Sequence, residues 1–181
     1  MIPSLFTFTI LAAAVLLLAG LPILTIPSKL ESAIRAFPRD RITAWITMLL
    51  GGGWFLWKIT QLGQSDFGDY KNLIFIIFAA TLIGSIFFVQ DFLAVRGVAI
   101  LILLSANVGL KSAFGLYDIP ERLVLVTIIY VFVVAALYYG VAPYKMRDTV
   151  NWLYRSTMRI RLLGVVFTGM ALALLVSALN Y

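Results

Sequence analysis

The strongest chemical signal in this sequence comes from two lysines and an amide. Lys58, Asn107 and Lys111 each fall inside a long apolar run, where a polar side chain is costly and commonly marks a ligand or ion path. Asn107 and Lys111 are four residues apart and so share one helical face. Thr47, Gly51, Trp54 and Lys58 share a face of another run. If the two faces meet, they line a polar cleft opening outward, with Gln61 and Asp66 at its mouth. The competing reading gives Lys58 and Lys111 only an anchoring role, their amines reaching past the ends of their runs to the interface. Asn107 would then make a single contact between helices. No run carries an acidic residue near its centre, which disfavours a proton-coupled carboxylate mechanism.

Other chemistry is excluded by residue type. The chain has no His and no Cys. Haem ligation through histidine, HExxH metal sites, thiol redox pairs and histidine-based dyads or triads therefore all fall away. There is no Walker A loop, no GxSxG elbow and no dinucleotide fingerprint. Asp40 and Asp91 stand alone in their loops, too sparse for a metal site built on several converging carboxylates. The sequence predicts no enzyme, no metal and no cofactor.

The elements that must position these residues follow from composition. Of 181 residues, 62% are hydrophobic and 12% charged, against roughly half apolar and a quarter charged in soluble domains. About 20 apolar residues cross a bilayer as a helix. Six runs qualify: Pro3–Thr25, Ile42–Leu62, Asn72–Val89, Val98–Phe114, Leu123–Val141 and Leu162–Leu179. The first lacks the basic start and small-residue cleavage pattern of a signal peptide and is expected to be a mature span. The expected fold is an all-α polytopic membrane protein, one integral membrane domain over residues 1–181, with six transmembrane helices in three hairpins.

Charge supplies an orientation. The first, third and fifth loops hold ten of the Lys and Arg residues and the other side holds four, Lys58, Lys71, Lys111 and Arg122. The positive-inside bias therefore predicts cytoplasmic odd-numbered loops, with both termini outside. The net charge of +6 reads as topogenic charge beside anionic lipid, not as a nucleic-acid surface. A plasma or inner membrane fits this balance.

Two of the loops look related. Pro27-Ser28-Lys29 opens the first and Pro143-Tyr144-Lys145 opens the fifth, and both close with R-x-x-x-R-x-R, at Arg35, Arg39, Arg41 and at Arg155, Arg159, Arg161. The prolines are offset by 116 positions and the arginines by 120, so the fifth loop is expected to carry about one extra helical turn. Arg96 stands before the fourth span in the same manner, as a tandem of three hairpins would require, or as insertion alone produces, since it favours Arg at cytoplasmic helix ends. Each of the two loops predicts a short amphipathic interfacial helix. In the first, Ser28 and Glu31 have capping-box spacing, Leu30, Ile34 and Phe37 form the apolar stripe, and Pro38 ends the helix. In the fifth, Met146, Val150 and Leu153 form the stripe, flanked by Trp152 and Tyr154.

Small residues predict how the spans meet, since close backbone approach drives association in lipid. Gly169, Ala173 and Ser177 recur every four residues in the last span, Ser105, Gly109 and Ala113 in the fourth; Ala80 with Gly84 and Ala136 with Gly140 offer shorter versions. Such faces serve internal packing or association with other chains. Gly51, Gly52 and Gly53 interrupt the second span and read either as a helix break exposing backbone to a substrate or as a groove for a neighbouring aromatic. The leading expectation is a non-catalytic subunit or scaffold whose partners are membrane lipids and other membrane subunits, or further copies of itself. The alternative is a small-solute transporter, or a substrate-binding subunit, working through the Lys58/Asn107/Lys111 cleft.

Overall fold

The computed structural model describes residues 3–89 and 91–181, and those residues form helices and turns with no strand among them. The helices are α1 (Leu5–Thr25), α2 (Pro27–Ala36), α3 (Arg41–Thr60), α4 (Lys71–Phe88), α5 (Leu93–Ala113), α6 (Arg122–Val141), α7 (Tyr144–Leu153) and α8 (Thr157–Ala178). Short 3₁₀ turns fill Phe37–Arg39, Gln64–Asp66 and Gly68–Tyr70. Six helices are long and apolar enough to cross a membrane: all but α2 and α7.

These six match the expected runs, with two displaced starts. α5 begins at Leu93 and α8 at Thr157, each five residues before the apolar run expected there. Arg96, Arg159 and Arg161 therefore lie inside helices. A long arginine side chain reaches sideways to water while its backbone continues the helix, so a charge does not mark where the helix starts. α2 and α7 are both ten residues long. The extra turn expected in the fifth loop is instead the first turn of α8. Ser28 is not a cap either. Pro27 is the first residue of α2, a position where its missing N–H and fixed φ cost nothing, and Glu31 pairs with Arg35.

Contacts divide the chain into two interleaved units. The first comprises residues through Arg35, Ser105–Ala135 and Arg147–Tyr181; the second comprises Ala36–Leu104 and Ala136–Met146.

In the first unit α1 and α8 pair along their length. Gly164 faces Leu24, Gly20 faces Phe167 and Thr168, and Thr9 reaches Tyr181, so the two helices run in opposite directions. Gly20 and Gly164 make this possible. A Cβ on Gly164 would stand 2.7 Å from the Leu24 backbone nitrogen, and one on Gly20 would stand 2.9 Å from that of Thr168. Ala13 and Ala171, fully buried, continue the seam into a core with Leu16, Leu125, Ile129 and Leu174. The intrachain contact thus uses Gly164 and Ala171, not the Gly169 and Ala173 expected from four-residue spacing. Gly169 has nothing within 4 Å of where a Cβ would sit, and Ala173 is exposed. Only Ser177 of that trio is buried. The two series sit about 100° apart per residue of offset on one helix, and spacing alone cannot choose between them.

In the second unit α3 meets α4 through Trp45–Phe87, Gly52–Leu82 and Phe55–Phe78, again in opposite chain directions. A core of Ala44, Met48, Ile86, Leu93 and Ala94 lies at one end. The triple glycine is no break, because α3 is continuous from Arg41 to Thr60. Gly51 receives Ile100, at 3.1 Å from a would-be Cβ, and Gly52 receives Leu82. Gly53 faces open space. The groove therefore admits aliphatic neighbours and not an aromatic.

Candidate functional site

The polar residues of the expected cleft lie apart in local character. Lys58 is half-buried, with its ammonium 5.2 Å from the centroid of the Trp57 ring and no carboxylate partner among the described residues. Asn107 and Lys111 lie on the exposed face of α5, in the stretch belonging to the first unit. Thr47 is buried, but its hydroxyl donates to Thr43 O at 2.8 Å within its own helix, so its one donor is already used. Gln61 and Asp66 are exposed. Among the described residues no group of three acidic, histidine or cysteine side chains is arranged to hold a metal.

A more connected arrangement lies where α1 ends and α8 begins. α2 and α7 carry their apolar stripes inward: Leu30, Ile34, Met146 and Leu153 are half-buried and Val150 is buried. The charged residues Lys29, Arg35, Lys145, Arg147 and Asp148 stay exposed. This is the amphipathic division expected for both loop helices.

Side chains then tie α2 to the last residues of α7 and the turn that follows. Arg35 donates from Nε to Glu31 Oε1 at 2.8 Å and from Nη1 to Asn151 Oδ1 at 2.6 Å. Its guanidinium also lies 5.4 Å from the centroid of the Tyr154 ring. The Tyr154 hydroxyl donates back to Pro27 O at 3.4 Å. One arginine therefore bridges residues 116 positions away in sequence, and no local spacing reports such a pairing. Burial raises the Tyr154 phenol above its usual pKa, the Glu31 carboxylate raises it further, and Arg35 opposes both.

Past this tie the chain turns into α8 with a dense run of cations. Arg155, Arg159 and Arg161 are all exposed. Arg159 stacks over the half-exposed Trp152, 4.6 Å from the ring centroid, and donates from Nη1 to Trp152 O at 3.4 Å. Ser156 is the N-cap of α8, yet its side chain makes no capping bond.

The corresponding start of α3 is built differently. Asp40 is the N-cap, accepting from the Thr43 backbone N–H at 2.7 Å and also from the Thr43 hydroxyl. These hydrogen bonds, with a smaller one from the Ile42 N–H, hold the Asp40 carboxyl below its usual pKa. Asp40 thus has a structural task that its isolation in the sequence concealed; an Asp just before an apolar run was the available signal. Nearby, Arg39 lies 5.2 Å from the centroid of the Phe92 ring, and Phe92 itself takes a left-handed backbone, φ 57°.

At the far end of the first unit, Arg122 ties two helix ends together. Its Nη1 donates to Ala113 O at 2.9 Å and its guanidinium lies 4.9 Å from the Tyr117 ring centroid. This satisfies a carbonyl that the end of α5 would otherwise leave open.

Together α2, the end of α7 and the start of α8 form a cationic, aromatic-edged ledge beside the closely packed pair of α1 and α8. Compared with known proteins, the chain matches no family model, no curated relative and no solved structure.

Proposed function

We propose that this chain is a non-catalytic, six-span integral membrane protein that works by association, as a subunit or scaffold of a larger complex in a plasma or inner membrane. In this reading the odd-numbered loops are cytoplasmic and both termini lie outside, and α2 and α7 lie in the cytoplasmic interface. The observation that carries the proposal is the tie of Arg35 to Glu31, Asn151 and Tyr154, which couples α2 to the end of α7. Two loop helices serving only as connectors have no need of such coupling. A docking surface does, because ordering its side chains in advance lowers the entropy lost on binding.

The outward faces support the same reading. Leu18, Phe88, Met158 and Leu162 are each at least 60% exposed, which in water would be an aggregation hazard and in lipid is ordinary surface. Gly169 and Ala173 lie on an exposed side of α8, where a neighbouring helix could approach closely.

Purification in mild detergent tests the proposal. The expected result is a stoichiometric protein partner that is lost in Gly169→Leu, while the thermal unfolding of the purified chain is unchanged. Lys58→Ala with Lys111→Ala should leave the association intact. A lone monodisperse chain carrying a small solute, with solute retention abolished by the two lysine changes, would overturn the scaffold reading in favour of transport.

A further inference from the structure

We propose that Trp152 at the end of α7, Arg155 in the turn that follows and Arg159 in the first turn of α8 bind the phosphate headgroup of an anionic phospholipid. This rests on the membrane reading above and adds to it a specific ligand and place.

Asp148 is the last acidic side chain in the sequence, and it is engaged by Arg147 at 2.9 Å. Glu31, the acidic side chain of α2, is engaged by Arg35. The nearby carboxylates are therefore committed, and Arg155 and Arg159 have no carboxylate partner among the described residues. Both guanidiniums are exposed and present forked donors of the shape that phosphate oxygens accept.

The position of Arg159 is also held. Its stack on Trp152 and its bond to Trp152 O fix the direction of the guanidinium and leave its remaining donors free. A half-exposed indole is itself suited to headgroup depth.

The apolar surface below decides between a lipid and a soluble phosphate. Leu162 and Val166 lie three and seven residues beyond Arg159, on the same side of α8. They are exposed at 60% and 43%. A headgroup at Arg159 would continue into acyl chains lying along Leu162 and Val166, whereas a free phosphate has no use for that stripe. Arg161, two residues from Arg159, points to another face and lies outside the site.

The test uses the full chain reconstituted in phosphatidylcholine vesicles and then titrated with phosphatidylglycerol, with retained lipid read by native mass spectrometry. Wild type should retain phosphatidylglycerol in preference to phosphatidylcholine. Each arginine near an anionic surface contributes about a factor of five, so R155Q/R159Q should lower that preference roughly 30-fold. R161Q, outside the site, should lower it by no more than the factor of about five expected of a single surface arginine. Equal retention of the two lipids by wild type, or an unaltered preference in R155Q/R159Q, would overturn the proposal. So would inorganic phosphate displacing the anionic lipid as effectively as more of that lipid does. If the double variant fails to reconstitute, the comparison of lipids and phosphate on wild type decides the matter alone. Failure of wild type to float with phosphatidylcholine vesicles would instead remove the membrane reading itself, so the two failures are distinguishable.

Discussion

The contact between α1 and α8 makes the sharpest quantitative demand on the chain. Replacing Gly164 by alanine puts a carbon 2.7 Å from the Leu24 nitrogen and 2.9 Å from Leu24 Cα and Cβ. Comfortable contacts begin near 3.5 Å, so the helices must separate by about 0.8 Å at that point. The obstructing atoms belong to the backbone and the root of a side chain, so no rotamer change relieves them. Insertion of this kind costs about 1–3 kcal/mol, and the rigid obstruction places Gly164→Ala toward the upper end. Alanine returns up to about 1 kcal/mol as the better helix former. The expected net loss is about 1–2 kcal/mol.

Gly169→Ala is the matched control. It lies five residues along the same helix, with nothing within 4 Å of the new carbon, so it keeps the helix-propensity gain and incurs no clash. The two variants should differ by about 2–3 kcal/mol in reversible unfolding in mixed micelles. Gly20→Ala should resemble Gly164→Ala, because its new carbon meets the Thr168 nitrogen at 2.9 Å. The double variant should lose less than the sum of the singles, since one separation of the helices accommodates both carbons. Equal stability of Gly164→Ala and Gly169→Ala, or full additivity of the two seam changes, would refute the close-contact account.

Two further expectations concern the second unit. Gly53→Ala should stabilise the chain by up to about 1 kcal/mol, because Gly53 faces open space. Gly97→Ala should destabilise it, because the new carbon would meet Thr47 Cβ at 2.7 Å and the Thr47 backbone at 2.9 Å; chemical unfolding of both variants checks this. The N-cap at Asp40 predicts a pH dependence of definite sign. Its pKa is lowered on folding by hydrogen bonds from Thr43, so its contribution is present above the ordinary carboxylate pKa and is lost as pH falls through the lowered one. Asp40→Asn keeps a capping oxygen but cannot titrate. The stability difference between wild type and Asp40→Asn should therefore be constant near neutrality and shrink in acid, and a difference that grows in acid would contradict the assignment.

Much of the fold was legible because hydrophobic length is a local property. Six apolar runs and two amphipathic loop segments appear in the sequence at their observed places, and Leu30, Ile34, Met146, Val150 and Leu153 turn inward as their spacing requires. What stayed hidden depends on neighbours distant in the chain. Gly164 and Gly169 look alike in sequence, and only the presence of Leu24 beside one of them separates their roles. The glycine triplet splits in the same way, with Gly51 and Gly52 occupied by Ile100 and Leu82 while Gly53 is open. Arg35 was legible as the first arginine of the pattern closing the first loop but not as the partner of Asn151 and Tyr154. The polar residues Lys58, Asn107 and Lys111 attracted notice by type, yet type gave no information about the exposed setting of the latter two.

The glycines that face outward carry the argument for association one step further. Gly20 and Gly164 offset the helix-propensity cost of glycine by letting α1 and α8 approach closely. Gly53, Gly84 and Gly169 also lie within apolar helices, and among the described residues no packing neighbour comes within 4 Å of their missing side chains. Each would gain up to about 1 kcal/mol from alanine on water-based scales, with no contact in this chain lost. A backbone surface left bare at that cost is useful when a second helix approaches it, because lipid tails gain little from the closer access while a packed neighbour gains dispersion contacts along its length. Contacts within the chain account for the first pair of glycines, and the association proposed above would give the other three a physical purpose.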